Sequence, residues 1–523
     1  MSDPMNGKRM MNGKLILSRF GTLVLFWTCM SAAFYAQTPF EEWAAEHGVL
    51  GYSVVAAPEQ GVPTTWVGGL RDVDRNLPVE EHTVYRVASI SKATLALGFF
   101  KLWANGQIDL NQDVNDVLQN TPAGPVHHPE FPGVAITPRM LLSHTSGLRD
   151  GAGYSPFLTA TYDAATGSDV PPISSVLNAE GAHYSSDMWS SAPGASFSYA
   201  NINFGLLGTV MEAVTGVRFD VWMRDEVFAP LSINASFNVH DLEDIDDVAV
   251  LYRYVDGWVP QADNYAGEWP TPPDLDGYVP GTNAARFAPQ GGLRCSAPDL
   301  LKLVAEWTLL ASGGTTSQLL PEPAVNQLRQ EAWSFDGANG NTYGGLFEAW
   351  GHGLHLDAFD SDSYPDPGQS ASSFGHPGEA YGLISGAYHV VGSDGCGWRF
   401  AYLINGMNPS PSLGEQGWYT VENALHDLLG QWANSACAQS SLSEPRPTRD
   451  PSGLETVPLQ SGEPLPEQLR CSDCRWVDIS GRTVLTPSPS LTVAPPLAPG
   501  RYLVTEAGSV IGAIQLLPFT PTP

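Results

Sequence analysis

The stretch Ser89-Ile90-Ser91-Lys92, with the run Ala93-Thr94-Leu95-Ala96-Leu97-Gly98-Phe99-Phe100 behind it, constrains the fold of this chain most. From Ile90 to Trp103 the residues are apolar nearly all round, so a helix formed here has no polar face to turn to water and has to lie inside a large core. Residues three apart share a helix face, which sets the Ser89 hydroxyl beside the Lys92 amine on the first turn. Burial disfavours the charged amine and lowers its pKa, and a neutral amine can take a proton from serine. A serine three before a lysine is a common accident, and a lysine at a helix start usually reaches for solvent. Here, however, the only lysines are Lys8, Lys14, Lys92, Lys101 and Lys302, so one placed inside an apolar segment is harder to dismiss.

A core of that kind needs material, and 523 residues, 43% of them hydrophobic, supply it in two to four domains. Lys and Arg number 25 against 55 Asp and Glu, a formal charge of -30 that repels nucleic acid and anionic membrane surfaces. Lys8, Arg9, Lys14 and Arg19 precede an uncharged apolar stretch from Phe20 to Tyr35. This reads as a signal peptide over residues 1–36, cleaved near Ala36-Gln37, and predicts a secreted, periplasmic or cell-surface protein. An uncleaved anchor is the alternative, because Phe34 stands where a small residue is preferred. Cys29 lies inside the leader. Beyond it Cys295, Cys396, Cys437, Cys471 and Cys474 are an odd number, so in an oxidising compartment some pair and one is left over. Cys471 and Cys474 suit a small local disulfide.

Taken in order, Phe40 to His47 reads as a short helix, and Tyr52 to Ala56 and Thr64 to Val67 read as strands joined by a turn. A strand from Thr83 to Val87 leads into the serine helix, which stops at Asn105-Gly106. Thr137 and Pro138 open a helix through Leu142, followed by Ser143-His144-Thr145-Ser146-Gly147-Leu148. The serine-histidine pairing this segment suggests is set aside, since sequence neighbours seldom act as nucleophile and base, and no G-x-S-x-G elbow occurs.

Gly151 to Pro193 has the composition of a long surface loop over a site. Tyr199 then sits in the loop before an amphipathic helix carrying Leu206, Leu207, Val210, Met211 and Val214, with Gly216 as its stop. Val239 to Pro289 is a second Pro/Gly/aromatic insertion. Ser296 to Asp299 caps a helix through Trp307. Strand-like runs follow at Gly353 to Leu356, Leu383 to Val390 and Trp398 to Ile404, then a helix from Val421 to Trp432. Pro377, without an amide donor, suits an edge strand open to a substrate.

The fold expected is α/β in the α+β sense: an antiparallel sheet built from both chain ends, flanked by helices, with a mainly helical region inserted. Domain boundaries fall at 37–437 for this unit, 438–468 for a Ser/Pro-rich linker and 469–523 for a small β-sandwich-like module. Without an H-E-x-x-H, His127-His128-Pro129-Glu130 and His352-x-x-His355 read as loop and strand residues, and neither metal nor cofactor is expected.

Ser89-x-x-Lys92, Tyr199-x-Asn201 and His376-x-Gly378 follow one another in an order and spacing that resemble the serine beta-lactamase and penicillin-binding-protein superfamily. The likeness is to the branch related to class C beta-lactamases, D,D-peptidases and family VIII esterases. It spans about residues 40–433 and takes in Leu141 to Leu148, Phe204-Gly205-Leu206-Leu207-Gly208, Gly291-Gly292-Leu293 and Gly375-His376-Pro377-Gly378. The resemblance implies an acyl-enzyme on Ser89, with Lys92 and Tyr199 sharing the proton work and the choice of base between them open. It makes Asn201 the residue that orients Lys92 and the substrate amide. The backbone amides of Ser89 and Glu379, beside Gly378, form its oxyanion hole.

Many penicillin-recognising relatives carry lysine where this chain has His376. A neutral imidazole donating one hydrogen bond there favours esters, amides or peptides over penicillins. A true beta-lactamase, a D,D-carboxypeptidase and an inactive surface-binding relative remain the alternatives. The tail, through Val477 to Arg482 and Ala498 to Val504, resembles the sorting domain of the Bacteroidetes type IX secretion system. That likeness implies a secretion machinery as partner besides a small-molecule or peptide substrate.

Overall fold

The computed structural model describes residues 38–443, apart from residue 60 and the stretches 311–312, 360–371 and 393–395, together with five strands between 456 and 516. The leader, Cys471 and Cys474 lie outside the described residues.

Among the described residues a nine-stranded antiparallel sheet forms the frame. Across it run Leu77–Pro78, Thr64–Asp72, Gly51–Pro58, Gly397–Ile404, Leu383–Val391, Ser372–Ala380, His355–Leu356, Ala349–Trp350 and Trp333–Ser334. Strands from the two ends of residues 38–443 meet at its centre, where Tyr52 pairs with Ile404 and Pro58 with Trp398. Successive side chains point to opposite faces. Val55, Ala57, Ala401 and Leu403 therefore enter the large core on one face. Val54, Ala56, Phe400 and Tyr402 enter a second core on the other. Both faces are covered, which is why these strands read as nearly unbroken apolar runs.

The outer face is closed by the helices Pro39–Glu46 and Thr420–Ser443. The first is started by a capping box between Thr38 and Glu41, and its Trp43 donates to the Val421 carbonyl at 3.0 Å. On the inner face lie the serine helix Ile90–Ala104, buried from Ile90 to Phe100, and the helix Ala297–Glu306, capped by Ser296. The serine helix ends at Asn105, followed by Gly106 with φ +69°, as the chain signal predicted. The helix Asn201–Thr215 likewise ends at a left-handed Gly216.

Several expectations are corrected. Residues 151–193 are not a plain surface loop: they contain the helices Tyr154–Tyr162 and Ser174–Leu177, and Phe157, Ile173, Leu177 and Met188 are buried. Their polar composition hid an apolar residue every few positions. Ser372–Ala380, which holds Pro377, is an inner strand. It pairs with Leu383–Val391 along its length and with His355–Leu356 only through Phe374 and Gly375, so its half beyond His376 keeps a free edge, and Pro377 stands on that open half as expected. The closing helix runs on to Ser443 and a strand forms at Thr456–Leu459, both inside the stretch read as linker. The tail strands form one mixed five-stranded sheet rather than a sandwich, with Thr456–Leu459 parallel to Ser509–Leu516.

Cys396 and Cys437 are joined, tying the closing helix to the strand that begins at Gly397, while Cys295 is a buried free thiol. The bridge spans a sequence separation of 41, which restricts the unfolded chain enough for roughly 2–4 kcal/mol of stability. Cys437→Ser should therefore lower the melting temperature by several degrees in calorimetry. An unchanged melt would mean that the helix end holds without the bridge.

Candidate active site

The turn into the serine helix is strained. Ala88 is buried at φ +52°, a left-handed conformation that costs an alanine on the order of 1–2 kcal/mol. It is held there from two sides. The Ser91 hydroxyl donates to the Ala88 carbonyl at 2.6 Å and accepts the Leu293 amide at 3.1 Å, while Val87 N–H donates to the Leu293 carbonyl at 2.9 Å. Ser89 is thereby presented at the mouth of the helix, on the wall of a cleft of about 580 Å³.

Lys92 is fully buried, and its Nζ lies 2.9 Å from Ser89 Oγ, 2.8 Å from Asn201 Oδ1 and 2.7 Å from the Gln290 carbonyl oxygen. Burial, offset in part by the Asp150 carboxylate, brings its pKa down from 10.5 to about 7. That drop is a penalty of ~5 kcal/mol on the charged form. Near neutrality the amine is therefore neutral in a large share of molecules. The Asn201 and Gln290 oxygens only accept, so a neutral amine donates its two N–H groups to them and turns its lone pair to the Ser89 hydroxyl.

Asp150 fixes the other side of Asn201. Its carboxylate accepts the Asn201 side-chain amide at 2.8 Å and the Asn201 and Ile202 backbone amides at 2.9 and 3.0 Å, where the helix Asn201–Thr215 exposes unpaired N–H groups. Tyr199 precedes that helix, and its phenol hydrogen-bonds with Ser89. Burial raises the phenol well above its ordinary pKa, so it is held as a proton carrier rather than a phenolate. The Lys92 nitrogen lies 4.9 Å from the Tyr199 ring centre. Beneath it, His144 lies 4.3 Å from the Tyr199 ring centre, with Nδ1 accepting from the Ala200 amide and the Asn203 side chain, both at 3.1 Å. His144 thus braces the tyrosine loop, and its ring bonds no serine among the described residues.

Gly378 is required by close approach. A Cβ there would stand 2.4 Å from Ser385 Oγ, 2.8 Å from the Val87 oxygen and 3.1 Å from the Ser89 nitrogen. Strand and turn backbones therefore touch, and Ser89, Gly378 and Glu379 all line the cleft. The Glu379 carboxylate accepts from Tyr419 Oη at 2.8 Å.

The structure thus brings together Ser89, Lys92, Tyr199, Asn201, Gly378 and Glu379. His376 is different. It is fully buried, edge-on to Trp350 at 5.3 Å and 6.1 Å from the Tyr199 ring, and is absent from the cleft wall. Its Nδ1–H donates to the Pro377 carbonyl, leaving Nε2 as an unpartnered acceptor, and burial beside Lys92 holds its pKa well below the usual range. The expected hydrogen bond from this imidazole to a substrate is replaced by a structural contact under the tyrosine.

Sequence reasoning missed Asp150 and the Gln290 carbonyl. The first is 51 positions from its partner Asn201 and the second acts through backbone, so neither leaves a local pattern. Of the two long insertions, 151–193 supplies Tyr154, Leu158 and Tyr162 to the cleft, whereas 239–289 supplies Arg253 and Ala288.

A serine, a buried amine of near-neutral pKa and a phenol in mutual contact make a site built for acyl transfer to a hydroxyl. The beta-lactamase family model matches residues 36–424, and the chain belongs to that family of hydrolases. Among curated relatives it is similar to penicillin-binding protein 4* of Bacillus subtilis (strain 168), 25% identical over 38% of this chain and 40% of that protein. It is also similar to the serine beta-lactamase-like protein LACTB, mitochondrial, of Mus musculus, 38% identical over 16% of this chain and 14% of that protein. The chain thus spans well under half the length of these relatives. Among solved structures it shares its fold with D-amino acid amidase from Ochrobactrum anthropi SV3 in complex with D-phenylalanine. The TM-score is 0.52 at 19% identity, over 76% of this chain and 97% of that one. The octameric penicillin-binding protein homologue from Pyrococcus abyssi gives 0.51 at 19%, over 90% and 93%.

If Lys92 is the base, kcat/KM for a neutral ester should climb with pH through about 7 and level off above it, since only the deprotonated amine accepts the serine proton. Asp150→Asn removes a negative charge that favours the protonated amine, so the limb should move to lower pH. A limb that stays put or moves upward in that variant contradicts the assignment.

Proposed function

We propose that this chain is an exported serine hydrolase that cleaves esters or amides through an acyl-enzyme on Ser89. The observation that carries this reading is the contact of Ser89 Oγ with a Lys92 amine whose other partners are both pure acceptors. Lys92 takes the hydroxyl proton as Ser89 attacks the carbonyl. Tyr199 passes its phenol proton to the departing group and takes the proton held by Lys92 in return, so the amine is neutral again for deacylation. The Ser89 and Glu379 amides stabilise the tetrahedral oxyanion, a contribution of roughly 10²–10³-fold per donor. Water then repeats the sequence to release the acid.

Esterase or amidase-peptidase action is favoured over beta-lactam hydrolysis within this reading. The cleft walls are aromatic, from Tyr154, Tyr162, Tyr343, Phe347, Tyr381 and Trp418, and suit an apolar or ring-bearing acyl group. The position where many penicillin-recognising relatives carry a lysine is a buried histidine with no proton to offer the cleft. That D-amino acid amidase shares the fold is compatible with amide substrates. Export rests on the basic and apolar N-terminal segment and agrees with a disulfide at Cys396–Cys437, which needs an oxidising compartment. The likeness of the tail to a type IX sorting domain proposes the route.

Intact-mass measurement after exposure to an activated ester should show one acyl adduct, absent in Ser89→Ala, whose turnover should fall by roughly 10⁴-fold or more. An adduct that persists in Ser89→Ala would place the nucleophile elsewhere. On one preparation, kcat/KM for a nitrophenyl ester should exceed that for a chromogenic cephalosporin; the reverse order makes the protein a beta-lactamase.

A further inference from the structure

A second cavity, of about 380 Å³, opens beside the catalytic cleft and shares Arg86, Tyr162, Ala288 and Tyr381 with it. Three arginines, Arg86, Arg286 and Arg294, are among the described residues that line it, and no Asp or Glu is. In a chain with 25 basic and 55 acidic residues, that grouping runs against composition.

Nor is the charge cancelled from behind. Arg86 and Arg294 both bind the single buried carboxylate of Asp263, at 3.0 and 2.8 Å. Burial alone would raise that carboxyl, but the two guanidiniums hold it well below the usual range, so it contributes one full negative charge. Two cations on one anion leave a surplus of one. Arg286 adds a second. Its Nη1 donates to the carbonyls of Thr161 and Tyr162, at 2.9 and 2.6 Å, and it makes no ion pair among the described residues. Asp163, exposed, reaches it only through space. Arg286 is the one guanidinium of the three without an anion among the described residues, and its remaining donors can bind a carboxylate, an attraction that the low local dielectric strengthens.

We propose that the cavity behind Arg86 is a subsite for a carboxylate that the substrate carries at a distance from its scissile carbonyl. The assignment rests on Ser89 as the nucleophile, because Arg86 is what links the cavity to the Ser89 cleft. It differs from carboxylate recognition next to the reacting carbonyl, where His376 has nothing to donate. Substrates are then acidic esters or amides, and Arg286, on the cavity side with only backbone partners, is a specificity-determining residue.

The test uses matched pairs of chromogenic esters on the full chain. In one series a terminal carboxylate is added to acyl chains of increasing length. In the other it is added to the phenyl leaving group. In one of the two series the carboxylated ester should be preferred in kcat/KM by roughly tenfold to a hundredfold at its best length. That preference should shrink as salt is raised. Arg286→Gln should collapse the ratio, and Arg286→Lys should keep part of it. Because each ratio is taken on one preparation, a general loss of activity cancels. If Arg286→Gln does not fold, the length series and its salt dependence on the unaltered protein decide the matter. Preference for the neutral ester at every length in both series, or a ratio unchanged in Arg286→Gln, overturns the subsite. Failure of the unaltered protein to hydrolyse either ester would instead count against the Ser89 reading and take the subsite with it.

Discussion

The site depends on one costly arrangement: an amine sealed from water with three oxygens around it. A lysine on the first turn of a buried apolar helix loses hydration that no contact among the described residues restores with a full countercharge, since Asp150 acts through Asn201 rather than on the amine itself. The compromise is a neutral or half-neutral group near pH 7, which is the state a base needs. Were the helix amphipathic, Lys92 would reach solvent, keep its proton and leave Ser89 an ordinary hydroxyl. The apolar sequence that forces the helix inside is therefore also what makes its lysine reactive.

Rigidity follows from the same packing. Three separate chain segments supply the oxygens that meet Lys92, through Ser89, Asn201 and Gln290. Each segment is pinned by contacts of its own. The left-handed Ala88 is held by Ser91 and the Leu293 turn. The Tyr199 loop rests on His144, and the strand carrying Gly378 touches the Ser89 amide where no side chain would fit. Donors and acceptors set in place before substrate arrives need not reorganise during reaction, which is where fixed dipoles gain their advantage over water. The sheet beneath, with both faces covered, gives these segments a common base.

Much of this was legible in the chain. The buried serine helix, its stop at Asn105-Gly106, the helix after Tyr199 and the strands from both ends announced themselves through periodicity and stop residues, because those signals are local. What stayed hidden was non-local or carried by backbone. Asp150 acts on Asn201 across the fold, Gln290 contributes a carbonyl, and the surplus charge appears only when Arg86 meets the distant stretch that carries Arg286 and Arg294. His376 was expected to face the substrate, but its ring is buried against Trp350 and Tyr199 with Nδ1 bonded to the Pro377 carbonyl, and it does not line the cleft. The insertion at 151–193 looked like a loop because its buried residues, though they recur every few positions, stand among Gly, Ser, Pro and Asp.

The most direct measurement is a titration of the Lys92 amine itself. The chain has only five lysines, so protein labelled at the lysine side chains gives few signals, and Lys92→Met assigns the one that matters by its loss. One lysine resonance titrating near pH 7 in the folded protein, absent in Lys92→Met, is the predicted result. A Lys92 signal that stays protonated to about pH 10, the range of an exposed lysine, would contradict the account at its centre.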